Sequence, residues 1–272
     1  MSHTTLISAA ELSPSMLVID VGFDLADTDA GERAYAQGHL PGTHYLHLDR
    51  DLSGAKTGRN GRHPLPDRAA FAERLRALGL STDTQVVAYD AQGGMYAARL
   101  WWMLRWIGHS AVAVLDGGKQ AWTGALSTEV PARTPGNFTL GDESLTPVLD
   151  ADQVQSRLGT VRLIDARAPE RFRGDVEPLD PQAGHIPGAS NRLFKLNLQE
   201  DGRFKPAAQL REEFSALLAP FDASGVVHQC GSGVTACHNL LAMEHAGLAS
   251  SALYAGSWSE WSSDPARPVA KG

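Results

Sequence analysis

Cysteine is nearly absent from this 272-residue chain, which has only Cys230 and Cys237. They can make at most one disulfide, too few to staple a secreted scaffold of this size, so a reducing compartment is expected. Long apolar runs are missing as well, and none approaches the ~20 residues that span a bilayer. There is no basic excess: 24 Lys+Arg stand against 31 Asp+Glu, for a formal net charge of −7. That balance, with a pI near 5.8, gives no general attraction for nucleic acid or an anionic membrane. The opening MSHTTLISAAELSPS has neither a basic n-region nor a continuous apolar core, so the expectation is a soluble cytoplasmic protein. With 43% hydrophobic and 20% charged residues the composition is that of an ordinary globular protein, and the length allows two domains of about 130 residues each.

The chain repeats itself. Leu17-Val-Ile-Asp20 followed by Gly38-His-Leu-Pro-Gly42 is echoed by Leu163-Ile-Asp165 followed by Gly184-His-Ile-Pro-Gly188, at offsets of 145 and 146. Val86-Val-Ala-Tyr-Asp90 then answers to Val226-Val-His-Gln-Cys230 at offset 140, and Leu115-Asp-Gly-Gly118 and Trp122 answer to Tyr254-Ala-Gly-Ser257 and Trp261 at 139. Five landmarks in one order imply a tandem duplication. Between the copies, Ser127 to Asp150 carries Pro131, Pro135, Gly136, Gly141 and Pro147 with little periodicity and reads as a linker. The expected division is residues 1–130, a linker over 131–149, and residues 150–272.

Each copy has three short apolar runs: Met16–Ile19, Gln85–Ala88 and Ala111–Leu115 in the first, Val161–Ile164, Gly225–Val227 and Ser251–Tyr254 in the second. Continuous rather than alternating apolar character predicts strands buried on both faces. Helical patterns over Arg68–Leu78, Met95–Ile107 and Thr235–Ala246 alternate with them, the last with Gly247 placed to end it. The fold class expected is α/β: two domains, each a mostly parallel sheet flanked by helices.

The segment richest in chemistry is Val226-Val-His-Gln-Cys-Gly-Ser-Gly-Val-Thr-Ala-Cys237. A buried strand ends at Gln229, a turn runs through Gly231-Ser232-Gly233, and a helix begins near Thr235. Ligands of open α/β sheets bind at the carboxyl ends of strands, where Cys230 would sit. Inward-facing amides of the turn and the start of a helix favour a thiolate there, while Gly231 and Gly233 allow close approach of the backbone. An unpaired cysteine is most often a small buried hydrophobe, and Cys237 fits that description. His228, Cys230, Cys237 and His238 match no zinc-ligand spacing, and no cofactor is implied.

Together with the downstream Gly256-Ser-Trp-Ser-Glu-Trp261, the Gly184-His-Ile-Pro-Gly188 motif and Asp165-Ala-Arg167, this loop resembles the two-domain sulfurtransferases, the family of rhodanese and 3-mercaptopyruvate sulfurtransferase. The likeness covers nearly the whole chain. It implies two rhodanese-like domains of which only the C-terminal one is catalytic; Asp90, the counterpart of Cys230, cannot carry a sulfane sulfur. It implies a persulfide on Cys230 cradled by the loop Gly231, Ser232, Gly233, Val234, Thr235 and Ala236. It further maps a Cys230–Ser232 relay supported by Asp49 and His63, a substrate arginine at Arg171, and an aromatic near the site at Tyr96. A second family arginine is replaced in Glu177-Pro-Leu179-Asp180, and Arg192 is a candidate substitute.

On their own residue patterns, Asp49, His63 and Ser232 read as turn residues, Arg171 as a helix-face charge, and Tyr96 as core. The loop carries no basic residue, which favours 3-mercaptopyruvate as donor over the dianion thiosulfate. The acceptor would be a thiol, including one on a protein such as thioredoxin, or cyanide. Two other classes compete. A cysteine phosphatase needs an arginine six residues after the cysteine, where this chain has Ala236. A non-catalytic sulfur carrier would hold one sulfur without turnover.

Overall fold

In the computed structural model, which describes every residue except Met1 and Arg133, the apolar runs form two five-stranded sheets. The chain divides into two compact units: unit 1 comprises Met1–Gly54, Pro66–Leu145 and Leu198–Phe204, and unit 2 comprises Ala55–Leu65, Thr146–Asn197 and Lys205–Gly272. Neither is a single stretch of sequence. Ala55–Leu65, which lies within the first copy in sequence, is part of unit 2.

Unit 1 contains β1 (Leu6–Ile7), β2 (Leu17–Asp20), α1 (Ala30–Gln37), β3 (His44–Tyr45), α2 (Arg68–Ala77), β4 (Val86–Tyr89), α3 (Ala97–Trp106) and β5 (Val112–Leu115), with strand order β1-β5-β4-β2-β3. All pairings are parallel, and β2, β4 and β5 are buried along their whole length, as continuous Val/Ile/Leu runs require. The Asp67 side chain caps α2 by accepting from the Ala70 amide at 2.9 Å. The Pro- and Gly-rich stretch after residue 130 is tied down on this unit: Gly136 N donates to Arg76 O, Phe138 N to Leu80 O and Leu145 N to Arg105 O.

Unit 2 repeats the plan with β6 (Val148–Leu149), α4 (Ala151–Ser156), β7 (Arg162–Asp165), α5 (Pro169–Arg173), β8 (Ser190–Asn191), α6 (Ala207–Leu218), β9 (Val226–Gln229), α7 (Thr235–His245), β10 (Ala252–Tyr254) and α8 (Ser257–Trp261), in the order β6-β10-β9-β7-β8. On one face Leu163, Val227 and Tyr254 pack with Val154, Trp258 and Trp261; α7 packs against β9 and β10, and α6 against α7. Gly247, at φ 72°, closes α7 with bonds from Gly247 N to Glu244 O and from Leu248 N to Met243 O, a Schellman ending. In both units the strand order reverses direction beside the fourth strand in sequence, β4 or β9, and that switch point puts Asp90 and Cys230 at the carboxyl edge where α/β sheets bind ligands. Among the described residues, no helix is long and apolar enough to cross a membrane.

The repeated Gly-His-x-Pro-Gly motif is a structural clamp. His39 stacks on Tyr35 at 3.8 Å and bonds through Nδ1 to Tyr35 O, and His185 stacks on Phe172 at 3.8 Å and bonds through Nδ1 to Phe172 O. Each ring fixes the entry to the following strand.

Candidate active site

Cys230 follows β9 directly and is 1% exposed. Its amide donates to Ser257 Oγ at 3.1 Å, and its carbonyl accepts from Trp258 N at 3.0 Å. Gly231 O accepts from Ser259 N, so the start of α8 holds the loop from one side. Gly233 must be glycine: its φ is 74°, and a Cβ there would lie 2.2 Å from Ala255 O. Val234 precedes α7 as its N-cap, and Ala236 is fully buried in the first turn of that helix.

Unit 1 shows what this loop geometry does. The Asp90 carboxylate accepts four amides, those of Gln92 and Gly94 on Oδ1 and of Tyr96 and Ala97 on Oδ2, at 2.8–3.0 Å. At the repeat offset of 140, the first three correspond to the amides of Ser232, Val234 and Ala236 in the Cys230 loop. The closing bond is kept too: Lys119 N to Asp90 O at 2.8 Å matches Trp258 N to Cys230 O at 3.0 Å. In the first copy a fixed carboxylate therefore occupies an anion cradle. Asp90→Ala is expected to lower the stability of unit 1 by about 3 kcal/mol, since buried amides lose a charged acceptor. Urea unfolding checks this, and an unchanged midpoint would contradict it.

Several residues read from sequence come together in unit 2. His63 Nδ1 and Ser232 Oγ are 2.7 Å apart, with the residues 4% and 7% exposed. Arg171, in the middle of the short α5, donates from Nη2 to Glu177 Oε1 at 2.6 Å and to Asp180 Oδ2 at 3.1 Å. Arg167 pairs with Asp165 and Glu177, donates to Gly184 O, and lies 4.8 Å over the Trp258 ring. Trp258 and Trp261 are core residues. Arg192 is engaged elsewhere, with Asn197 Oδ1 and Glu213 Oε2, and packs over Phe214.

Two residues belong to unit 1. Asp49 lies in the turn after β3, its amide donating to His47 Nδ1 at 3.1 Å. Tyr96 is 4% exposed and sits edge-on to Phe23 at 5.6 Å; burial pushes its hydroxyl pKa up. Cys237 is fully buried and donates through Sγ to Gly233 O at 3.3 Å, which makes it a loop-bracing residue.

One residue escaped notice in sequence. Ser257 adopts φ 54°, a conformation costly for a non-glycine residue, and its Oγ joins Cys230 N to Tyr254 O. Its counterpart Gly118 has φ 59°, so the repeat offset was the available signal.

Comparison with known proteins gives the family of the chain. The rhodanese-like domain model matches residues 9–125 and 150–264. The chain is 49% identical to a protein of Pseudomonas aeruginosa named probable 3-mercaptopyruvate sulfurtransferase, over 100% of both chains. It is 36% identical to the thiosulfate sulfurtransferase of Cricetulus griseus, over 94% of this chain and 88% of that one. Among solved structures it is similar to SseA from Escherichia coli, described as a 3-mercaptopyruvate sulfotransferase with the rhodanese fold. That match has a TM-score of 0.80 and 30% identity, covering 95% of this chain and 100% of the other.

Proposed function

The chain belongs to the rhodanese-like family and is a sulfurtransferase, and we propose that its sulfur donor is 3-mercaptopyruvate, with Cys230 as the persulfide carrier. The observation that carries the donor assignment is the His63–Ser232 hydrogen bond two residues from Cys230. Attack of the Cys230 thiolate on the thiol sulfur of mercaptopyruvate forms an S–S bond and breaks the C–S bond. The C–S electron pair remains on carbon as the enolate of pyruvate. The proton of the donor thiol must leave sulfur and reach that carbon, giving Cys–S–S⁻ and pyruvate. Ser232 and His63 are suited to move it. Thiosulfate has no such proton: attack on its outer sulfur expels sulfite directly, and a relay has nothing to carry.

The persulfide is an anion, and three of the amides that converge on Asp90 in the sister loop have counterparts at Ser232, Val234 and Ala236, which supports a similar cradle for its outer sulfur. In the second half-reaction an acceptor thiolate or cyanide attacks that outer sulfur and the Cys230 thiolate leaves. The acceptor is a thiol, with thioredoxin-like proteins among those to assay, or cyanide. Asp49 keeps the supporting catalytic role that the family resemblance maps onto it, and the cytoplasm is the compartment that fits two free cysteines.

A thiosulfate reading is favoured by the two guanidiniums above Gly231, but the loop itself adds no positive charge. Steady-state kinetics with cyanide as acceptor separate the two. The expected result is a kcat/KM for 3-mercaptopyruvate at least about tenfold above that for thiosulfate, the size of one charge-assisted hydrogen bond. The reverse preference would overturn the assignment.

A further inference from the structure

We infer that the outer face of the loop over residues 174–182 is the docking surface for a protein acceptor, one whose reactive thiol stands in an apolar surface and takes the sulfur from Cys230. This rests on the reading of Cys230 as the persulfide carrier.

The loop is an addition of the copy that carries Cys230. In each unit an aromatic ring stacks on the motif histidine at 3.8 Å, Tyr35 on His39 and Phe172 on His185. The first pair is 4 positions apart in sequence and the second 13. Unit 1 passes straight from α1 into the motif, and unit 2 inserts the loop between ring and histidine.

The inserted loop has the reverse of ordinary surface polarity. Its acids turn inward, with the Glu177 and Asp180 side chains only 3% and 2% exposed. Glu177 accepts from Arg167, from Arg171 and from the amides of Leu179 and Asp180, and Asp180 accepts from Arg62 and Arg171. The feet are pinned as well: Gly174 N donates to Arg171 O, Gln182 O accepts from Trp258 Nε1, and Gln182 Nε2 donates to Ser262 O. Val176, Pro178, Leu179 and Pro181 are left exposed, Val176 at 50% and Leu179 at 47%. Among the described residues of unit 2 the other exposed large apolar side chains are Val148 and Leu196, so this one held loop carries half of them, unlike the single scatter of an ordinary surface. Arg173 and Asp175 beside it pair with each other and add no net charge.

The two sides of the loop meet different molecules. On the inner side, Arg62 and Arg171, both held by Asp180, reach 2.7 and 3.4 Å from where a Cβ on Gly231 would lie, next to Cys230. A cyanide ion or a small thiol that reaches the sulfur meets that inner side alone. Apolar side chains turned the other way serve a body large enough to lie over the loop while its nucleophile enters, and of the acceptors that take sulfur the thiol is the one a protein carries. Its thiolate attacks the outer sulfur of the Cys230 persulfide; a new S–S bond forms on the acceptor, the bond to Cys230 breaks, and Cys230 leaves as thiolate. A loop fixed before contact loses little freedom on binding.

The test compares full-length wild type with the double variant Val176→Ser, Leu179→Ser by the initial rate of pyruvate formation from 3-mercaptopyruvate. Reduced thioredoxin is the protein-thiol probe, and cyanide and dithiothreitol are the small acceptors. Both side chains are exposed, so the thermal midpoint should hold. The kcat/KM for thioredoxin is expected to fall about 10- to 100-fold, the worth of completing the burial of two half-exposed apolar side chains. The values for cyanide and dithiothreitol should stay within about threefold, and the apolar pair Val176→Ile, Leu179→Met should keep thioredoxin within about threefold as well. An unchanged kcat/KM for thioredoxin would overturn the proposal, as would equal losses with all three acceptors, which would mark the loop as a brace of the site. Wild-type protein that serves cyanide but not thioredoxin would overturn it too. Wild-type protein that passes sulfur to none of the three, from mercaptopyruvate or thiosulfate, would instead sink the carrier reading itself.

Discussion

Cys230→Ser is expected to reduce sulfur transfer from any donor by at least about 10³-fold, because a hydroxyl at this position neither attacks sulfur nor stores it as a persulfide. The contrast with Cys237 makes the result specific. Cys237 is fully buried on α7 and bonds through Sγ to Gly233 O; a serine there keeps the hydrogen bond and loses only a little volume. Cys237→Ser should therefore retain activity within about threefold, since changes of this size in a packed site cost of order 1 kcal/mol. Comparable losses in both variants would remove the distinction between carrier and packing residue. Stability need not fall with Cys230→Ser, because the loop is held by backbone bonds, Trp258 N to Cys230 O and Ser259 N to Gly231 O, that the substitution leaves in place.

Ser232→Ala carries the second large effect, and its signature lies in the ratio of donors. The hydroxyl at 2.7 Å from His63 Nδ1 is assigned to proton movement, so its removal should lower kcat/KM for 3-mercaptopyruvate by about 10²- to 10⁴-fold, the usual worth of a positioned acid–base group. Thiosulfate, whose cleavage moves no proton, should lose less than about tenfold, the cost of one hydrogen bond. His63→Gln should reproduce the pattern: the amide can keep a hydrogen bond to Ser232 but cannot take up and return a proton. Parallel losses with the two donors would show that the pair shapes the loop and does no proton chemistry.

Much of the fold was legible because its determinants are local. The apolar runs that begin or fill β2, β4, β5 and β9 are too continuous for a half-exposed sheet, and all four strands are buried. Gly247 ended α7 where the sequence pattern put it. The shorter elements left little trace: β3 and β8 have two residues each, and α1 buries only Gly31 and Tyr35, too few for a 3.6-residue period. The Pro- and Gly-rich stretch looked like a tether because its ties, Gly136 to Arg76 and Phe138 to Leu80, are backbone bonds that side-chain patterning does not encode.

The site divides the same way. Cys230, Gly231 and Gly233 could be read from one strand–turn–helix segment. The His63–Ser232 pair joins residues 169 positions apart and was reachable only through the family resemblance. Arg62 lies beside His63 in the same segment, yet nothing in Gly61-Arg62-His63-Pro64 says that its guanidinium ends above Gly231. Ser257 was hidden for a different reason: its meaning lies in a left-handed backbone angle, which composition does not reveal at a non-glycine residue.

The central claim is that Cys230 accepts a sulfur atom and passes it on. Mass spectrometry of the peptide containing Cys230, after brief exposure of the protein to 3-mercaptopyruvate without acceptor, tests it most directly. The expected result is one added sulfur on Cys230, none on Cys237, and loss of that sulfur when cyanide is added, with thiocyanate formed. A Cys230 peptide that stays unmodified while pyruvate accumulates, or a sulfur found on Cys237 instead, would contradict the account.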